Sequence, residues 1–275
     1  MSLHVVTVAT HSQFYFPVYK ASCERGGIDL TVLGWGKKWK GFLWKFNLVI
    51  DYLQTLPDSD IVIFTDAFDV FVLKDSETIL RKFKSFNSPI VLSKDADSDN
   101  FIIHHFVKRI FPKCCDVYLN SGLYGGYVWA LKQMFSILKK KLDFSDNSAD
   151  DQRLLGTICS TPFYKENIVV DKDYILFYNV FSSNLIRPCN LDIKIRDGKI
   201  VNDLGIEPSF IHAPAKGNLN GVMKLYGYDT DVNVCNWFQL MYHRVLCYIK
   251  YVAIDVFLIA FILIMIIVII RKHLL

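Results

Sequence analysis

Asp60-Ile61-Val62-Ile63-Phe64-Thr65-Asp66-Ala67-Phe68-Asp69-Val70 is an apolar run that stops at two carboxylates. Asp60 to Thr65 reads as a strand buried on both faces, the kind found inside a parallel sheet covered by helices. Ligands of such sheets sit beyond the carboxyl ends of the strands, where Asp66 and Asp69 follow. Two hard oxygen ligands there can hold Mg²⁺ or Mn²⁺, and the metal can bridge a diphosphate. The spacing alone says little, because about one Asp-x-x-Asp is expected by chance in a chain of this size. Asp143 and Asp146 form another pair, with no strand before it. Asp95-Ala96-Asp97 also follows a strand, but Lys94, Ser98, Asp99 and Asn100 around it suggest a solvated turn.

Outward from this stretch, strand and helix alternate. Leu3 to Ala9 and Ile28 to Leu33 are β-branched runs flanking a helix that contains Tyr19 to Cys23. Phe42, Leu43, Phe46, Val49, Ile50 and Leu53 fall at helical spacing, which Leu56-Pro57-Asp58 breaks. Asp75 is placed to cap a helix whose face is Ile79, Leu80, Phe83 and Phe86. Pro89 to Ser93 is a further strand, and a helix with Trp129, Leu131, Met134, Phe135 and Leu138 follows Leu119 to Gly126. Asn167 to Val170, Tyr174 to Tyr178 and Ser209 to His212 are short strands. The pattern predicts an α/β domain with a mainly parallel sheet over residues 1–245.

The last part of the chain differs. Tyr251 to Ile270 reads YVAIDVFLIAFILIMIIVII, with Asp255 its one charge. As a helix it would span ~30 Å, the thickness of a hydrocarbon core. A transmembrane helix is therefore expected over 249–271, with membrane lipid as its partner. Arg244 and Lys250 before it and Arg271 and Lys272 after it leave its orientation open. Met1-Ser2-Leu3-His4-Val5 enters a strand without a signal peptide, so the expected arrangement is a single-pass C-terminal anchor with a cytosolic catalytic domain. Seven cysteines without a CxxC pair, and no Asn-x-Ser/Thr sequon, lean the same way. The net charge of +4 is too small and too evenly spread for nucleic-acid binding.

Three more features could carry chemistry. Asn120-Ser121-Gly122 offers short hydrogen-bonding groups beside a glycine that lets backbone approach a ligand, although an ordinary turn has the same composition. Asp150-Asp151-Gln152 opens a helix, where acids cap the dipole or, alternatively, face a sugar. His212 ends a strand before a loop with Lys216, Asn220 and Gly221. A lone histidine is usually structural, yet His is also a normal third ligand for Mn²⁺, and lysine neutralises phosphate.

Taken in order, Val5 to Thr10, Val32-Leu33-Gly34 with Trp39-Lys40-Gly41, Phe64 to Val70, Leu119 to Gly122, Asp150 to Gln152, and His212 with Asn220-Gly221 resemble the glycosyltransferase domain of the procollagen lysyl hydroxylases. The resemblance runs from about Leu3 to about Tyr228. It implies a glycosyltransferase A-type fold, a UDP-sugar donor and Mn²⁺ (or Mg²⁺), here in a free-standing transferase of the kind found in large DNA viruses or microbes. It implies Asp66, Asp69 and His212 as metal ligands and Phe68 against the nucleotide. Thr10 falls near the uridine, and Trp39 and Lys45 fall beside the donor. Asn120 and Ser121 line the sugar site, with Asp150 and Asp151 at the transferred sugar. Lys216 or Lys224 would face the diphosphate, with Asn220 and Gly221 in the same loop. The implied reaction moves a hexose, glucose or galactose, to a hydroxyl acceptor such as hydroxylysine or its galactosyl derivative in a collagen-like protein. The chain departs from the family at Gly41-Phe42-Leu43-Trp44-Lys45, in the long loop from His212 to Gly221, and at Ser93 to Asn100. A phosphatase-type hydrolase and a non-catalytic sugar-binding membrane protein are the alternatives. The first wants two acids one residue apart on the first strand, and the second would be expected to lose the acidic pairs.

Overall fold

The computed structural model describes residues 1–96, 101–142, 144, 149–181, 191–214, 217–232, 253–254 and 257–267. The elements run β1 (Leu3–Val8), α1 (Phe16–Arg25), β2 (Leu30–Leu33), α2 (Phe42–Leu53), β3 (Ile61–Thr65), β4 (Val70–Val72), α3 (Ser76–Ser85), β5 (Ile90–Lys94) and α4 (Phe101–Ile110). There follow β6 (Leu119–Tyr127), α5 (Val128–Lys139), α6 (Asp151–Gly156), α7 (Pro162–Asn167), β7 (Ile168–Asp171), β8 (Phe177–Asn179), β9 (Ile195–Arg196), β10 (Lys199–Ile200), β11 (Phe210–His212) and α8 (Asn220–Leu225).

Six strands form the main sheet in the order β2-β1-β3-β6-β5-β7. All run parallel except β6, which is antiparallel to both β3 and β5. The expected mainly parallel α/β architecture is present. Every residue of β3 is buried, as its composition demands. One face packs on α2, α5 and α6 through Phe46, Leu53, Met134, Phe135 and Leu155, and the other on α1 and α3 through Tyr19, Ile79 and Phe83. Asp75 caps α3, accepting the Thr78 N–H at 2.8 Å. The glycine-rich run after Leu119 is a buried strand rather than a turn. Its glycines make room for β3: a Cβ on Gly125 would lie 2.3 Å from Ile63 Cδ1.

A second sheet, β4-β11-β8, adjoins the carboxyl end of the first. The turn Asp66 to Asp69 connects β3 to β4 and so passes from one sheet to the other. β11 pairs antiparallel with β4 and parallel with β8, setting His212 opposite Val70 and beside Asn179. This register delivers His212 to the acidic turn.

Two expectations need correction. No helix among the described residues is long and apolar enough to cross a membrane. Of the predicted span over 249–271, residues 253–254 and 257–267 are described and helical, and the apolar side chains of 257–267 are exposed. The rest of that span lies outside the described residues, and the membrane-lipid partner loses its ground. The cysteines also behave differently from expectation, since Cys114 and Cys159 form a disulfide with Cα atoms 5.4 Å apart. It fastens the segment before β6 to the turn after α6. Such bonds persist in oxidising surroundings, so the pairing and the cytosol-facing reading pull in opposite directions.

Candidate active site

Asp66, Asp69 and His212 converge, with one ligand atom from each lying within 4.8 Å of the others. His212 Nε2 is 3.3 Å from Asp69 Oδ1 and 3.8 Å from Asp66 Oδ2. Backbone bonds hold the three segments together. The Asp66 N–H donates to the Gly122 carbonyl at 2.7 Å, and the Ala213 N–H to the Asp69 carbonyl at 2.9 Å. Gly122 has to lack a side chain, because a Cβ there would lie 2.5 Å from His212 Cε1 and 2.7 Å from Asp66 Oδ2.

The His212 ring is 1% exposed. Its Nδ1 is 2.7 Å from Asn179 Oδ1, an acceptor, so Nδ1 carries the proton and donates. That tautomer turns the Nε2 lone pair toward the carboxylates, where Nε2 is buried with no hydrogen-bond partner among the described residues. Burial works against a charged ring, but Asp69, Asp66 and Asp95 outweigh it and hold the His212 pKa above the ordinary 6.5. A nitrogen lone pair and two carboxylates gathered in one place suit a divalent cation.

Beside the triad lies a built-in cation. Lys45 lies on the core face of α2 with Leu43, Phe46 and Val49, and is 5% exposed. Its ammonium is 2.9 Å from Asp66 Oδ1 and 2.7 Å from Asp151 Oδ2. Burial disfavours its charge, yet the Asp151 and Asp66 carboxylates more than compensate and hold its pKa above the ordinary lysine value. The two neighbouring acids of α6 thus have different surroundings. Asp150 is the N-cap, its Oδ1 accepting the Arg153 N–H at 2.7 Å. Asp151 is 4% exposed and turned inward to Lys45.

The wall facing α6 includes a residue the sequence reading set aside. Asp95 is not in a solvated turn: its Oδ1 accepts from Asn120 Nδ2 at 3.1 Å and its Oδ2 from Gln152 Nε2 at 3.0 Å. Burial pushes its carboxyl above the usual carboxylate range. Asn120 accepts the Gly122 N–H at 2.8 Å, and Ser121 is buried beside it. Asn179 Nδ2 donates to the Lys94 carbonyl at 2.6 Å while its oxygen holds His212. Asn179 escaped the sequence reading, Gln152 was read only as part of a helix start, and Asp95 as part of a solvated turn. Their strand-end and helix-start positions were the one available signal.

Of the residues expected around the donor, Thr10 follows β1 and its Oγ1 lies 2.9 Å from His11 Nδ1. The Phe68 ring is 6.1 Å from His11 and 6.3 Å from Phe16, which stacks on Trp35 at 5.4 Å. Trp39 is 44% exposed, edge-on to Phe42 and Trp44. Asn220 is engaged by the protein itself: its oxygen accepts from the Tyr15 hydroxyl at 2.9 Å and the Val232 N–H at 3.1 Å, and its amide donates to the Val232 carbonyl at 3.1 Å. Burial pushes the Tyr15 phenol up to about 12, so it stays a neutral donor. Gly221 and Lys224 lie exposed on α8, and Lys216 lies outside the described residues.

Comparison with known proteins places these residues in a family context. The family described as the PLOD GT domain matches residues 1–226. A procollagen-lysine,2-oxoglutarate 5-dioxygenase of Drosophila melanogaster is 27% identical over 237 residues, covering 81% of this chain and 31% of that protein. The multifunctional procollagen lysine hydroxylase and glycosyltransferase of Caenorhabditis elegans is 30% identical over 245 residues, covering 79% and 31%. The uncharacterized protein R699 of Acanthamoeba polyphaga mimivirus is 26% identical over 247 residues, covering 81% and 49%. The chain therefore spans about a third of the length of the animal relatives. Among solved structures, a glycosyltransferase involved in glycosylation of the major capsid of PBCV-1 superposes with a TM-score of 0.46 at 8% identity, covering 83% of this chain and 100% of that one. The galactosyltransferase LgtC, in complex with donor and acceptor sugar analogs, gives 0.44 at 15%, covering 88% and 94%. These are remote likenesses, and no residue role is taken from them.

Proposed function

Because the chain belongs to the PLOD GT domain family, we propose that it is a metal-dependent hexosyltransferase, moving glucose or galactose from a UDP-sugar to a hydroxyl acceptor. Hydroxylysine or its galactosyl derivative in a collagen-like protein is the acceptor that the names of the relatives support. The observation that carries the reading is the meeting of Asp66, Asp69 and the orphaned Nε2 of His212 at the carboxyl edge of the sheet, beside the Lys45–Asp151 pair. A Mn²⁺ or Mg²⁺ bound there would neutralise charge developing on the diphosphate leaving group.

The protein's own groups do the rest. Asn179 fixes the His212 ring so that Nε2 stays available. Phe68, with His11 against it and Thr10 next to His11, lies on the side on which the resemblance puts the uracil. Asn120, Ser121, Asp95 and Gln152 offer hydroxyl-matching donors and acceptors for a pyranose. Asp151, paired with Lys45, is the acid placed to stabilise positive charge at the reacting carbon. Asp150 serves as the helix cap.

Donor hydrolysis by the full chain across a panel of UDP-sugars, with and without Mn²⁺, tests the proposal. The expected result is release of UDP from one hexose donor, abolished by EDTA and restored by Mn²⁺. Equal rates after chelation, or no turnover of any UDP-sugar with a collagen-like acceptor present, would refute it.

A further inference from the structure

Lys45 is the residue whose surroundings fit least well with a role at the donor. A lysine that grips a diphosphate needs an accessible ammonium, and this one is enclosed. The ring of Phe64 lies 5.5 Å beneath it, stacked in turn on Tyr124 at 4.8 Å. The Tyr124 hydroxyl is buried there with no hydrogen-bond partner among the described residues. Against this floor the ammonium touches two carboxylates from separate elements, Asp66 at the end of β3 and Asp151 at the start of α6. The two oxygens of Asp66 have divided roles. Oδ1 meets Lys45 at 2.9 Å, while Oδ2 faces His212 Nε2 at 3.8 Å.

We propose that Lys45 is a positioning residue, acting through Asp66 and Asp151 without touching the substrate. It occupies Asp66 Oδ1, so that Oδ2 alone is offered to the metal, and it fixes Asp151 at a set place beside that metal. A buried ammonium between two carboxylates is a rigid spacer: removing it leaves two anions close together in a low-dielectric pocket, and they separate. Misplacing a group by about 1 Å at a reacting centre costs on the order of 10²-fold in rate. The inference rests on the metal-site reading above, with Lys45 as its internal counterpart.

The test uses the full chain as Lys45→Met, Lys45→Arg, Asp151→Asn and the double variant Lys45→Met/Asp151→Asn. Mn²⁺ affinity is measured by calorimetry without nucleotide, and kcat and KM with the UDP-sugar that the wild type turns over. Lys45→Met should lower kcat by about 10²-fold while KM for the donor stays within about threefold. Mn²⁺ affinity should not weaken, because Asp66 gains a free oxygen and the site loses a competing cation. Lys45→Arg, which keeps the charge, should restore most of kcat. In the Asp151→Asn background, Lys45→Met should cost less than about threefold more, because the two residues act as a unit. A tenfold or larger rise in KM at unchanged kcat, or losses that multiply in the double variant, would make Lys45 a donor ligand and overturn the inference. If Lys45→Met alone fails to fold by circular dichroism, Lys45→Arg and the double variant, in which neither member of the buried pair is left alone, decide the question. Wild-type protein that binds no Mn²⁺ would instead overturn the metal reading, and the assignment of the Asp66 oxygens with it.

Discussion

At one end of the site Asp66 Oδ2, Asp69 and His212 gather, and at the other Asp66 Oδ1 and Asp151 close on the ammonium of Lys45. Both ends gather carboxylates against a buried side chain, His212 at one and Lys45 at the other, and buried charge is costly unless paired. One end carries its counter-ion on the chain, from the buried face of α2. The other leaves His212 Nε2 without a hydrogen-bond partner among the described residues, where a cation from solution would fit. Chelators should therefore act on the triad and leave the Lys45–Asp151 pair intact.

The largest effect is expected at the open end. Asp69→Asn and His212→Ala should each lower turnover by on the order of 10³-fold, with EDTA-treated wild type equally inactive and thermal unfolding little changed. Assays at saturating UDP-sugar with added Mn²⁺ would measure it, and turnover retained in either variant would remove that residue from the metal set. At the closed end, Asp151→Asn should lower kcat by about 10²–10⁴-fold while Mn²⁺ and UDP affinities stay near wild type. A weakened metal affinity there would mean that the two ends are not separate.

Effects one step removed are smaller. Asn179→Ala frees the His212 ring and should weaken Mn²⁺ binding about 10–100-fold, read by calorimetry. The same titration carries a pH signature. The carboxylates hold the His212 pKa above 6.5, so a proton competes for Nε2 at higher pH than on an isolated histidine. Mn²⁺ affinity should accordingly be full above that raised value and fall as pH drops through it, approaching tenfold per pH unit. Flat affinity down to pH 5 would exclude His212 as a ligand. The smallest effect belongs to Asp150, whose oxygen caps α6. Asp150→Ala should cost about 1 kcal/mol in a urea titration, and Asp150→Asn almost nothing, both with turnover near wild type.

How much of this was legible in the sequence depended on how local each cause was. β3 and its acidic turn could be read directly, because an apolar run ending in carboxylates announces both burial and its limit. The α6 acids were read as a pair, but the sequence could not separate them. Asp150 obeys a local rule, whereas Asp151 answers to Lys45, more than a hundred positions away in the chain. Lys45 was placed beside the donor by the resemblance, and nothing nearby in sequence shows that α2 turns it into the core. Asp95 was misread as solvated for the same reason: its polar neighbours in sequence are not its neighbours in space, which are Asn120 and Gln152. Asn120 to Gly126 resembled a turn by composition, although the glycines were there to let Ile63 and His212 approach. The Cys114–Cys159 bond joins residues 45 apart and carried no motif. The apolar run from Tyr251 did suggest a spanning helix by length, and among the described residues no helix is long and apolar enough to cross a membrane.

The most direct test is the anomalous difference density of crystals grown with Mn²⁺ and UDP. The account predicts one peak at about 2.0–2.4 Å from Asp66 Oδ2, the Asp69 carboxylate and His212 Nε2, with Lys45 still between Asp66 Oδ1 and Asp151. UDP bound with manganese elsewhere, or at saturating Mn²⁺ with no peak between these three side chains, would contradict it.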